Sequence, residues 1–137
     1  MKLITQSAAA LFLSAGMTLA AGHASPMVEA MDQDVSNGIV SADKVVAPEN
    51  GWMVVHRTDA EMKPGPVVGY APLRGGMNTD VAAILQEEVK TGEMLMLMIH
   101  SEAGGMKAGG FEYTLGAKED GPIKPDGSLV MVVVMAK

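Results

Sequence analysis

Met94, Met96, Met98 and His100 place a soft or basic side chain at every second residue, and Glu102 extends the series. In an extended strand alternate side chains share a face. These five therefore line one side, and Leu95, Leu97 and Ile99 line the other. Three aliphatic residues are enough for the inward face of a packed sheet. The opposite face then presents thioethers, an imidazole and a carboxylate. Thioethers are soft ligands that suit Cu(I), with imidazole as a common companion. One strand cannot complete such a shell. Side chains two residues apart are separated by about 7 Å, whereas sulfurs on one ion lie at most about 4–5 Å apart. A second strand or loop must converge, and Met53, Met77, Met106 and His56 are the candidates. His56 shares a strand face with Trp52 and Val54. His56 and His100 each follow an apolar run and precede polar, loop-like sequence, so both are expected to end a strand at the same edge of the fold, near each other. The metal-ligand set is accordingly His56, Met96, Met98 and His100.

A blander account weighs against it. Methionine is a flexible core filler, and the chain has thirteen of them in 137 residues. Met131 and Met135 alternate with Val130, Val132 and Val134 as ordinary core would. On that account the stripe is packing, no cofactor is bound, and copper is the alternative. Signatures of catalysis are missing from the sequence: no Gly-x-Ser-x-Gly elbow, no His-Glu-x-x-His, no phosphate loop and no dinucleotide fingerprint. Without cysteine there are no disulfides, zinc–thiolate sites or thiol nucleophiles. A formal charge of −6 argues against nucleic acid as a partner, because phosphate neutralisation needs a basic patch.

The elements that must position these residues are legible in part. Met1-Lys2, the apolar run Ala8 to Ala21 and the small-residue exit through Ala24 have the three-part form of a secretory signal peptide. The apolar run, about fourteen residues, falls short of the roughly twenty needed to span a bilayer. Residues 1–24 are therefore expected to be removed on export to the periplasm or beyond, leaving no transmembrane segment. Residues 25–34 are expected to be a flexible tail and 35–137 a single domain. Within it, short β-rich runs alternate with Gly/Pro turns at roughly ten-residue spacing, the pattern of an antiparallel sandwich or barrel. The runs are 39–46, 52–56, 67–70, 93–100, the period-two stretch 111–115, and 129–135. Pro48-Glu49-Asn50-Gly51 is a turn in which Asn-Gly favours positive φ. Thr79 to Lys90 is ambiguous: Val81, Ile84, Leu85 and Val89 have helical spacing, while Val81, Ala83 and Leu85 share a face at period two.

A set of motifs in fixed order bears on that ambiguity. It runs Asp32-Gln33 with Gly38, Gly51 to His56, Gly65 to Tyr70, Gly76 to Leu85 with Asp80-Val81, Leu95 to His100 with Glu102, Phe111-Glu112-Tyr113, and Glu119 to Pro122. Over about a hundred residues this resembles the secreted family called domain of unknown function 7282, found in surface proteins of halophilic archaea and in bacteria. The resemblance implies an all-β fold, a single antiparallel immunoglobulin- or cupredoxin-like β-sandwich of about seven strands. It implies an extracytoplasmic location and a strand at Val81 to Leu85. It brings no known activity. One departure is visible. Family members often carry an acidic, Asn-rich glycine loop after the second histidine, whereas residues 101–110 here hold Glu102 alone, too few oxygen ligands for calcium. The function expected from all this is an exported, non-catalytic envelope or periplasmic binding module that contacts another envelope protein or the cell surface; the alternative is a periplasmic Cu(I) or soft-metal binder.

Overall fold

Turns at regular intervals cut the chain into strands too short to stand alone, and their apolar faces have to find each other. The computed structural model describes residues 24–137. The expected signal peptide therefore lies outside the described residues, apart from Ala24. The strands are β1 (Met27–Glu29), β2 (Ile39–Ala47), β3 (Gly51–Thr58), β4 (Val67–Leu73), β5 (Gly76–Ile84), β6 (Met94–Ser101) and β7 (Met131–Met135). They form two antiparallel sheets, ordered β1-β2-β5 and β4-β3-β6-β7. The all-β sandwich of seven strands is as expected, and no helix is long and apolar enough to cross a membrane.

Between the sheets lies the main core. Val40, Ala42 and Val45 of β2 and Val81 and Ala83 of β5 face Met53, Val55, Leu95, Leu97 and Ile99 of the larger sheet. The period-two reading of residues 79–90 holds through β5, which pairs with β2 from Gly76 to Ile84. Val81 and Ala83 are buried while Ile84 is 74% exposed, so the helical stripe is not a face of anything. A ladder partner along the whole strand overrode local spacing.

Three expectations are corrected. Residues 25–34 are not a loose tail: β1 pairs with β2, the Gln33 side chain brackets the backbone of Ser41 at 2.8 Å on both sides, and Asp32 Oδ1 accepts the Met135 N–H at 2.9 Å. The alternating stretch 111–115 is not a strand. It lies over a sheet face with no neighbouring backbone to pair with. Gly51 does not take a positive φ. It is glycine because β3 runs so close to β6 that a Cβ would overlap the His100 carbonyl oxygen.

Candidate functional site

The outer face of the larger sheet is apolar too, and residues 102–130 fold back over it. Trp52, Val54, Met96 and Met98 form a second small core there, packed under Val67, Phe111, Leu129, Met131 and Val133. The methionine stripe thus points away from the main core, as alternation requires, but Met96 and Met98 are buried rather than open to solvent.

On this covered face stand both histidines of the described chain, each 0% exposed. In the β3–β6 ladder Trp52 is opposite His100, Val54 opposite Met98, and His56 opposite Met96. The histidines therefore sit at opposite ends of the pair, four register steps apart, not at one shared edge. Their rings reach toward each other across the Val54–Met98 pair, with ring centroids 5.4 Å apart and Nε2 atoms 3.3 Å apart. A register shift against β4 at Val55/His56 is the kind of irregularity that re-aims a side chain.

The other ring nitrogens fix the chemistry. His56 Nδ1 lies 2.7 Å from the Gly65 carbonyl oxygen. His100 Nδ1 lies 2.6 Å from the Asp120 carbonyl oxygen. A carbonyl only accepts, so each Nδ1 carries the hydrogen and donates it. In a neutral imidazole the remaining nitrogen is then an acceptor. The 3.3 Å approach of the two Nε2 atoms is a meeting of two lone pairs with no hydrogen of their own between them. Burial is the main force holding His56 below the ordinary histidine range, against its bond to the Gly65 carbonyl. Burial likewise pushes His100 down to about 4, opposed by its bond to the Asp120 carbonyl and aided by the nearby His56. Near neutral pH the pair is therefore uncharged.

Aromatic rings wall the pair. Tyr113 stands edge-on to His100 at 4.5 Å and to His56 at 5.9 Å. Phe111 stacks on Tyr70 at 4.3 Å and meets Trp52 at 5.5 Å. All four aromatic residues of the described chain thus gather on this one face.

Of the expected ligands, the fold brings His56 and His100 together and sets Met96 and Met98 on the same face. The other candidates scatter. Met53 is in the main core, while Met77 and Met106 are exposed to solvent. Glu102 turns aside, accepting the Trp52 indole N–H at 2.8 Å. Among the described residues no three His, Cys, Asp or Glu side chains converge, so an ion at this pair must complete its shell with softer or neutral groups. Sequence reasoning did not single out Tyr113, Phe111 or Asp120 for the site. Aromatic scarcity was the available signal for the first two. None existed for Asp120.

Residues 26–136 match the family described as "Domain of unknown function (DUF7282)". The chain belongs to that family. The match covers every strand from β1 to β7 and so extends to both histidines of the site. No curated protein and no solved structure matches the chain.

Proposed function

We propose that this DUF7282 chain is an exported, non-catalytic binding domain whose ligand is a single soft monovalent cation, Cu(I) foremost, held between His56 Nε2 and His100 Nε2. One observation carries the reading: two buried imidazoles, each locked by a carbonyl into the Nδ1–H form, aim their lone pairs at each other 3.3 Å apart. Lone pairs that meet out of water repel, and a cation between them turns the repulsion into two bonds. Metal–nitrogen bonds of about 2.0–2.1 Å across this gap subtend roughly 104–111° at the ion. That angle suits three or four ligands and leaves room for sulfur. Met98 occupies the register position between the two histidines, and its thioether is the natural third donor. Imidazole, thioether and aromatic walls are uncharged and polarizable, which favours a soft +1 ion over a hard +2 ion.

The non-catalytic half of the reading rests on the placement of the hydroxyl beside His100 in the chain. The hydroxyl nearest in sequence, Ser101, alternates to the other face and has Gly121 O at 3.3 Å as its acceptor.

The test is anaerobic Cu(I) competition against a chromogenic chelator, with the domain beginning at Ser25. One equivalent should bind, and His56→Ala and His100→Ala should each abolish it. A wild-type domain that leaves all Cu(I) with the chelator would end the proposal.

A further inference from the structure

Asp120 is the one acid that is fully buried among the described residues. It is not a turn residue exposed to solvent, as its Glu-Asp-Gly-Pro setting suggests. Its φ of 47° lies in the left-handed region, uncommon for any residue but glycine. Every polar group it has is committed. Its N–H donates to Ala103 O at 2.9 Å. Oδ1 accepts the Ala103 N–H at 3.1 Å, and Oδ2 accepts the Glu112 N–H at 2.8 Å. Its carbonyl oxygen takes the His100 Nδ1–H at 2.6 Å. Both carboxylate oxygens act as acceptors, the behaviour of the ionised form. Yet no cationic side chain pairs with it among the described residues. Burying a carboxylate without a countercharge is costly even when its oxygens are hydrogen-bonded.

These four hydrogen bonds tie Asp120 to three residues, Ala103, Glu112 and His100. Ala103 and Glu112 bound the loop that carries Met106 out to solvent and returns as the Phe111–Tyr113 wall over the histidines. One carboxylate closes both ends of that loop, and the same residue's carbonyl orients the imidazole beneath it.

We propose that Asp120 is the positioning residue of the imidazole pair, coupling closure of residues 102–120 to the orientation of His100 and supplying the single negative charge that balances a bound monovalent cation. The countercharge half rests on the cation reading given above; the coupling half does not. A metal on Nε2 makes the Nδ1–H a stronger donor, which tightens its bond to Asp120 and with it the loop. Linkage makes the effect mutual: whatever closes the loop tightens the ion, and the ion closes the loop. Because both histidines are fully buried, opening of this loop is also the way in and out.

Asp120→Asn tests this. It keeps the shape but removes the charge, and its amide nitrogen cannot accept an N–H. Affinity for Cu(I) should fall about 10–100-fold, the usual effect of losing an outer-shell partner. In the metal-free variant, hydrogen exchange at the Ala103 and Glu112 amides should accelerate. The His100 ring should also begin to populate its Nε2–H tautomer in long-range nitrogen–proton NMR spectra, which a purely structural role would not cause. Glu112→Gln loosens only the inner turn, where that carboxylate accepts the Met106 and Lys107 N–H groups, and should leave affinity within about threefold. An Asp120→Asn protein with wild-type affinity and an unchanged His100 tautomer would overturn the proposal. Should that variant not fold, wild-type exchange decides: Cu(I) must slow the Ala103 and Glu112 amides by at least about tenfold, and unchanged rates refute the coupling. If the wild type takes up no Cu(I), the cation reading and the countercharge role fall together. The metal-free exchange and tautomer comparison then still judges the coupling by itself.

Discussion

His56 and His100 are four register steps apart on neighbouring antiparallel strands, yet their Nε2 atoms approach to 3.3 Å. A span of four steps is about 13 Å along a strand, so both rings must lie down along the sheet toward each other. Hydrogen bonds to two backbone carbonyls, the His100 one buried and the His56 one partly so, hold them there.

Both rings should be neutral Nδ1–H tautomers in the metal-free protein at pH 7. Long-range nitrogen–proton NMR reads this directly. A protonated Nε2 on either ring would mean an ordinary hydrogen bond joins the pair and would remove the physical case for a cation.

The metal-free domain should lose stability on mild acidification. The folded-state values of both histidines lie below the ordinary 6.5, His100 at about 4. The unfolded chain therefore takes up protons first as pH falls. Stability from the neutral pair is fully present above about pH 6.5 and is lost progressively between 6.5 and 4. Thermal melts across that window should show a steeper fall for wild type than for a His56→Gln, His100→Gln double variant. Parallel curves would contradict it.

Met98→Leu separates ligation from packing. A volume-conserving swap in a core should cost less than about 1.5 kcal/mol, whereas Met98→Ala should cost about 2–5 kcal/mol, both measured by urea unfolding. If the thioether is a ligand, the folded Leu variant should bind Cu(I) at least about tenfold more weakly. Unaltered affinity in a folded Leu variant would assign Met98 to packing alone.

Gly51→Ala should destabilise the domain by about 1–3 kcal/mol or more, because the new methyl overlaps the His100 carbonyl and forces β3 and β6 apart. The urea midpoint reports the cost. A neutral substitution would show that the strands have slack at this point.

An exported form should begin near Ser25. Removal of residues 1–24 leaves β1 (Met27–Glu29) intact against β2. N-terminal sequencing of protein recovered from outside the cytoplasm settles the position, and a chain recovered only with Met1 in place would contradict export.

Much of this molecule is written in local pattern. Period two at 94–100 fixed which residues of β6 share a face, and it did so correctly because alternation is a property of the extended backbone itself. The turn residues marked where most strands stop. Other features depend on partners far along the chain. Residues 76–84 have two acceptable local periods, and only the ladder with β2 chose one. Phe111 to Leu115 has the alternation of a strand but no backbone beside it to complete one. The site itself is of this second kind. Sequence pattern put Met96, Met98 and His100 on an outward face and His56 on one face with Trp52 and Val54. It could not say that a later loop would bury them, that Tyr113 would wall them, or that Asp120 would orient one imidazole from 20 positions away. Side-chain periodicity is set by the nearest two or three residues, whereas the convergence of Nε2, Nδ1 and carbonyl oxygens to hydrogen-bond distance is set by where a 29-residue excursion between β6 and β7 comes to rest on the sheet, and that is decided by packing.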